Sequence, residues 1–520
     1  MSSFSRRLFM KSMISAAAGL SLQKELFSAP FPSFRKKNSH KKPNILVIMS
    51  DEHNANILGC YGNKIVNTPN LNQLSSSGIT FENFYCNSPL CVPSRLSFTA
   101  GKYISHINAW SNASKLLGDD YPSIAYSMKS AGYDPYLCGK MHYALEHRYG
   151  FTEIGKSFTN QKPKSGGCRR RNPDDLTVDK NTEEGRFDDF HAGNSSRVLD
   201  HDKEFTDRTV DFLNNRKKSD KPFFMISGLL APHYPLIVPD EYWEKYKDKI
   251  PMPKMPQGYI DSLPLNYKHL RSGFGMTDVK PETVKKGREL YYGLVEWMDS
   301  EVGKILRALK DNGLEDNTIV IYTSDHGENM GEHGLWWKNA MFNTASRIPL
   351  IISYPKRWKG SQRRLQTASL VDLTRTIADL GQAEFPKDWD GDSMVDWLDN
   401  SNYKWKDFAV SEYYAHNIAS GYTMIRTADY KYVYHTPSDK AHKSQTELYN
   451  LRKDPDELSN LSNQDNYKDI ISKLHSKICH ELGENPDNTE LRARKDFQEA
   501  IAKNEKSKIE KPKRSKKIKI

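Results

Sequence analysis

Two hydrophobic textures divide the chain. "NILVIMSD" at 44–51 is a continuous apolar run ending in an acid, the pattern of a strand buried on both faces whose carboxyl end carries polar chemistry. Runs of the same kind recur as "ITFENFYC", "YDPYLCGK", "KPFFMISGLLAPHYP" (221–235), "TIVIYTSDHGE" (318–328) and "IPLIIS". Between them the spacing predicts helices: one opened by Thr68-Pro69 and stopped at Gly78, one over Ile124–Ala131, a long amphipathic one over Lys285–Leu309, and one over Leu373–Leu380. Strand–helix alternation of this kind predicts an α/β fold, a doubly wound sheet sandwiched by helices. Residues 156–200 are charged and poorly periodic, and read as an inserted surface loop. From about Phe408 the pattern shifts to short alternating strands ("YTMIRTADYKYVYH") and one helix near Tyr467–Leu482, a smaller C-terminal antiparallel sheet subdomain. The expected partition is 1–42 leader and linker, 43–405 the main α/β domain, 406–485 C-terminal subdomain, and 486–520 an unstructured basic tail.

Composition refines this picture at the ends. The net charge of +11 is concentrated there: residues 1–42 carry nine Lys/Arg against one Glu, and 503–520 carry nine against two. The body between is slightly acidic, which argues against a nucleic-acid surface. Ser5-Arg6-Arg7-Leu8-Phe9-Met10-Lys11, followed by the weakly apolar Met13–Leu22, has the form of a twin-arginine export signal and predicts a periplasmic or secreted protein. The apolar run is too short to span a bilayer, and no other segment reaches about 20 apolar residues. Six cysteines (60, 86, 91, 138, 168 and 479) show neither metal-knuckle spacing nor a disulfide framework.

"NSPLCVPSRLSFTAGKY" (87–103) places Cys91 at a helix start, with Pro93 in the first turn and Arg95 close behind. Helix N–H groups converging there favour an anionic nucleophile and an anionic substrate. Asp51-Glu52 and Asp325-His326 stand at the ends of two predicted strands, where α/β sheets bind ligands, and such acids suit a hard divalent cation. With "GKMHY" (139–143), "APHYP" (231–235), "SDHGENMGEHGLWWK" (324–338) and "ELYNLRKDPDELSNL" (447–461), these blocks run in order along the chain. Together they resemble the type I sulfatases of the alkaline phosphatase superfamily.

The resemblance implies an alkaline-phosphatase-like mixed sheet and a sulfuric ester hydrolase. Cys91 would be oxidised to formylglycine by a maturation enzyme that reads Pro93 and Ser94. One hydroxyl of the hydrated aldehyde attacks sulfur. Arg95 stabilises that nucleophile, His142 takes a proton from its second hydroxyl, and His233 or Lys338 assists the leaving alcohol, with Lys140 beside them. Calcium would be held by Asp51, Glu52, Asp325, His326 and the nucleophile derived from Cys91. Glu52 stands where many relatives carry Asp or Gln, and His326 where some carry Asn.

The expected substrate is an O-sulfate on a sugar, a fragment of a sulfated polysaccharide. The polar inserts 156–200 and 255–280 would wall the pocket, with Trp110, Asn112 and Trp336 against the sugar ring. Alternatives are choline sulfate, a phosphonate monoester or phosphodiester, and a non-catalytic sulfated-glycan binder whose Cys91 stays unmodified. A two-zinc phosphatase is disfavoured because no second ligand set is evident.

Overall fold

The computed structural model describes residues 42–144, 146–160, 170–178, 186–217 and 219–509, with side chains to residue 502. The twin-arginine segment, Cys168 and the last basic residues lie outside these. The strands in chain order are β1 Asn44–Asp51, β2 Ile79–Tyr85, β3 Asp134–Gly139, β4 Thr152–Ile154, β5 His191–Ala192, β6 Phe223–Pro232, β7 Ile237–Val238, β8 Thr318–Ser324, β9 Leu350–Ser353 and β10 Gln362–Ser369. Eight of them form one sheet in the order β10-β2-β9-β8-β1-β6-β3-β4, and β5 pairs with β7 apart from it. Every pairing in the large sheet is parallel except those of β9, which runs antiparallel to β2 and β8. The sheet is doubly wound, as the apolar runs predict, and mixed, as the family resemblance implies.

Strand β1 explains the two layers. Leu46 and Ile48 join the core beneath the long helix Pro281–Asp311, while Ile45, Val47 and Met49 face the other core with helices Cys91–Ala100 and Leu370–Leu380. A strand covered on both faces needs apolar residues at every position, so its sequence does not alternate. In register, Met49 faces Gly228 of β6 and Thr323 of β8, so neighbouring strands finish at one edge. At β3, Gly139 (φ +94°) and Gly228 leave no room for a Cβ: one would strike the Gly228 carbonyl, the other Lys140 backbone. That close approach seats Lys140, whose N–H donates to the Gly228 carbonyl at 2.8 Å.

Strands β11 Phe408–Tyr413, β12 Tyr422–Thr427, β13 Tyr430–His435 and β14 Gln445–Asn450 make an antiparallel meander, backed by the helix Lys468–Leu482. It is fastened to the body beside the Cys91 turn: Asn87 Nδ2 donates to the Val410 carbonyl, and Glu412 N–H to the Asn87 carbonyl. No helix among the described residues is long and apolar enough to cross a membrane.

Two expectations fail. The stretch read as a loop to residue 200 gives way to the helix Arg197–Asn214, capped by Ser196 Oγ at Leu199 N–H. Its buried face includes His201, Asp202, Thr206 and Thr209 beside Val198, Leu199, Phe205 and Leu213, so hydropathy marks it as surface. The expected unstructured segment from 486 is instead a helix, Pro486–Ile509. Polar contacts hold it together with a short apolar face, Ala493 and Phe497. Glu490 accepts Gly421 N–H and pairs with Arg170, and Asp496 accepts the Trp110 indole N–H at 2.8 Å. Trp110 is buried beneath it, edge-on to Tyr414.

Trp110→Ala should lower unfolding stability by about 3–5 kcal/mol, the usual cost of deleting a large buried aromatic. Urea denaturation checks this, and truncation after Asn485 should also lower the midpoint. An unchanged midpoint in both would show the terminal helix to be undocked.

Candidate active site

Because β8, β1, β6 and β3 are neighbouring parallel strands, their carboxyl ends deliver Asp325-His326, Asp51-Glu52, His233 and Lys140-His142 to one edge. β2 reaches the same edge and turns through Asn87–Leu90 into the helix Cys91–Ala100, all of whose residues are buried. Pro93 sits in the first turn, where a missing N–H leaves no bond unmade. The Val92 N–H donates to Asn112 Oδ1 at 3.1 Å, and Ser94 Oγ donates to the Asp325 carbonyl at 2.7 Å. These bonds fix the cysteine turn against the end of β8.

Arg95 ties the site together. Its Nε donates to Asp325 Oδ2 at 2.7 Å, Nη2 to Asp51 Oδ2 at 3.1 Å, and Nη1 to the Lys140 carbonyl at 2.9 Å. Lys140 Nζ pairs with the same Asp51 oxygen. Asp51 Oδ1 is left facing Cys91 Sγ at 3.8 Å, and His326 Nε2 lies 3.1 Å from that sulfur. On the other side Lys338 Nζ donates to Glu52 Oε2 at 3.1 Å and to His233 Nε2 at 2.9 Å. His233 Nδ1 donates to the Tyr234 carbonyl at 2.6 Å, so Nε2 is the acceptor in this arrangement.

Charge decides what such a site holds. Burial and Asp51 push the Cys91 thiol up, yet Lys140, Lys338 and His326 bring it well below the ordinary thiol range. Burial raises the Asp51 carboxyl too, and Lys140, His233 and Arg95 outweigh it. Burial lowers His142, keeping its imidazole neutral; its ring is half-buried and its Nδ1 has no hydrogen-bond partner. An anion at position 91 is therefore stabilised by fixed cations, without solvent reorganisation.

The residues also fit a divalent cation. Asp51, Cys91, Asp325 and His326 offer ligand atoms all within 4.8 Å of one another. His326 Nδ1 donates to the Gly327 carbonyl at 3.0 Å, which turns Nε2 into the cluster. Glu52 stands to one side, grouped with Asp51 and His233, and its buried Oε1 has no partner. Oxygen donors with a single imidazole suit a hard cation.

All ten site residues read from the sequence thus meet at one edge. The predicted sugar platform does not. Trp336 is buried, packed on Phe190 and Trp337, and Trp110 lies under the C-terminal helix. Asn112, half-buried, accepts the Val92 N–H next to Cys91. Several contributors escaped sequence reasoning. Glu328 Oε1 accepts Met330 and Trp337 N–H, shaping the loop that carries Lys338. Asp202 accepts Leu230 and Ala231 N–H at 2.7 Å each, shaping the end of β6 before His233. Glu328 lies inside the "SDHGENMG" block; nothing marks Asp202 in the sequence. Among the described residues Cys60, Cys86, Cys138 and Cys479 are free thiols, as is Cys91.

A sulfatase family model matches residues 43–383, more than half of the chain. The protein belongs to the sulfatase family. A model for the C-terminal region of N-sulphoglucosamine sulphohydrolase matches residues 331–483 of this sulfatase. It is 29% identical to an arylsulfatase of Clostridium perfringens over 85% of this chain and 94% of that one. Similarity to a choline-sulfatase of Rhizobium meliloti is 29% over 81% and 82%, and to an N-acetylglucosamine-6-O-sulfatase of Bacteroides thetaiotaomicron 27% over 88% and 89%. Two solved structures share the fold. A phosphonate monoester hydrolase of Agrobacterium radiobacter aligns with a TM-score of 0.71 at 22% identity, covering 85% of this chain and 95% of that one. BT4656 with its substrate D-glucosamine-2-N,6-O-disulfate aligns at 0.68 and 23% identity, covering 86% and 99%. This sulfatase is accordingly a sulfuric ester hydrolase.

Arg95→Met leaves Asp51 and Asp325 buried without their shared cation, which should cost about 3–5 kcal/mol of stability. Thermal melts should show a clear drop, and sulfate-ester turnover should fall to background. A melt unchanged from the wild type would refute the bridging role.

Proposed function

We propose that this sulfatase removes an O-sulfate from a sugar, with formylglycine formed at Cys91 and calcium held by Asp51, Asp325, His326 and Glu52. The observation that carries the reading is the meeting of Cys91 with those acids and with Arg95, Lys140 and Lys338. In place, calcium would supply charge to polarise the sulfate group, and the formylglycine hydrate would supply the hydroxyl that attacks sulfur.

The chain's own residues have separable tasks. Lys140 and Lys338 hold oxygens of the anionic sulfate beside residue 91. Burial works against the Lys338 ammonium, but the negative charge of Cys91, Glu52 and Asp51 keeps it charged. It therefore stabilises the departing oxygen as a cation. His233 accepts a Lys338 N–H and orients it, which favours charge stabilisation over proton donation by the imidazole. His142, neutral and with a ring nitrogen free, takes the proton from the residue-91 hydrate. The maturation enzyme that creates formylglycine is an obligatory earlier partner.

The sugar reading draws on the N-sulphoglucosamine sulphohydrolase match and on the N-acetylglucosamine-6-O-sulfatase relative. The choline-sulfatase relative supports the competing reading. A trimethylammonium group needs open aromatic faces or acids. Here the rings beside His233, Tyr234 and Trp337, already carry the Arg186 guanidinium, at 4.1 and 5.4 Å from their centroids. That positive charge repels choline.

The test is a substrate panel on mature protein: sugar O-sulfates, 4-nitrophenyl sulfate, choline sulfate and an aryl phosphonate. Sugar sulfates should be turned over best, activity should disappear on treatment with a calcium chelator, and calcium should restore it. Turnover of choline sulfate with none on any sugar, or full activity in metal-free protein, would contradict the proposal.

A further inference from the structure

Beside the residues assigned to the sulfate, two more cations gather at Tyr234. The Arg186 guanidinium carbon lies 4.1 Å from the Tyr234 ring centroid, and that of Arg197, the first residue of the helix Arg197–Asn214, lies 4.9 Å from it. Tyr234 stacks on His233 with centroids 4.9 Å apart, and His233 Nε2 is 2.9 Å from Lys338 Nζ. One ring thus links both guanidiniums to the leaving-group side of the site. The two charges are at most about 9 Å apart, about one screening length in physiological salt, so they bear on one small space while repelling each other only weakly. Among the described residues Arg197 enters no ion pair, and Asp200, one turn on, accepts from Ser195 Oγ instead. His416, on the connection between β11 and β12, borders the same region. Burial, with Arg186 and Lys338 nearby, pushes its imidazole down to about 4, so no further positive charge is added there. Like charges gathered next to an anion site, one of them unpaired, are relieved by a second anion.

We propose that Arg186 and Arg197, seated over Tyr234 beside His233 and Lys338, bind a second anionic group of the substrate, a sulfate or a carboxylate borne by the sugar being desulfated or its neighbour. The inference rests on the sugar-sulfatase reading and narrows it to polyanionic glycans. Guanidinium forks bind both oxyanions in bidentate fashion, and stacking on Tyr234 holds the Arg186 fork flat. These are specificity residues, because the anion they bind does not react.

Kinetics on pairs of substrates that differ only in the second anion test it. One arm compares glucosamine 2-N,6-O-disulfate with glucosamine 6-O-sulfate. The other compares a sulfated disaccharide containing a uronate with its methyl ester, and 4-nitrophenyl sulfate serves as the single-anion reference. Wild-type enzyme should prefer the dianionic member in at least one arm, and that arm identifies the anion. R186Q and R197Q should each lose about ten-fold in kcat/KM on that member, mainly through KM, a size fitting one charge-assisted contact. Turnover of 4-nitrophenyl sulfate should change less than about two-fold. Arg197 is exposed, so R197Q keeps the test valid if R186Q misfolds. Wild type that cleaves sugar sulfates without favouring the second anion overturns this inference alone, as do equal losses on all substrates or none on any. Wild type that cleaves no sugar sulfate overturns the parent reading with it.

Discussion

The Arg95 guanidinium, lodged between the Asp51 and Asp325 carboxylates, is the interaction on which the rest of the site depends. The two acids end neighbouring parallel strands and are fully buried. Unpaired, they would repel across a medium that screens poorly. Arg95 relieves this through two oxygens, one from each acid, and leaves Asp51 Oδ1 turned toward residue 91. It comes from the helix that begins at Cys91, so the ion pairs also fix the distance from Cys91 to the acids. A lysine has no planar fork with which to reach both acids and the Lys140 carbonyl together.

From that bridge the chemistry is layered outward. Asp51, Asp325 and His326 make the side suited to a cation, while Lys140 and Lys338 make the side suited to sulfate oxygens. Glu52 separates the two, spending one oxygen on Lys338 and leaving the other unpartnered. The carboxylates of Asp51, Glu52 and Asp325 balance the fixed cations of Arg95, Lys140 and Lys338, a balance that suits a dication and an anionic ester arriving together. The C-terminal sheet is part of the same build: its first strand is bonded to Asn87, just before the cysteine turn. The terminal helix in turn closes over Trp110 and Gly421 N–H.

How much of this was legible in the sequence follows from where burial and polarity agree. β1 and β8 are largely apolar runs, buried along their length, that lead straight into Asp51 and Asp325, so strand, burial and function are visible together in each short stretch. The motif blocks then named the ten side chains that meet at the sheet edge, Cys91 included, though not Glu328 or Asp202, which shape the loops behind them. The helix Arg197–Asn214 was hidden because its inward face uses His201 and Asp202, which satisfy each other and backbone N–H groups at the end of β6. The helix Pro486–Ile509 was hidden for the same reason, docking through Glu490, Arg492 and Asp496. Trp110 and Trp336 misled in the opposite direction. An indole near a motif looks like a sugar platform, but sequence alone does not tell which way it faces, and both are core. Arg186 and Arg197 lie in the polar insert 156–200 expected to wall the pocket, but no motif marks them, and only the fold brings them to Tyr234.

The central claim is that position 91 is built to carry a nucleophile made from cysteine, amid acids and cations already set for it. Peptide mass spectrometry of residues around 91, on protein from its native host, tests that most directly. The account predicts formylglycine in place of the Cys91 thiol, and none elsewhere. A wholly unmodified Cys91 in protein that still hydrolyses sulfate esters would contradict it.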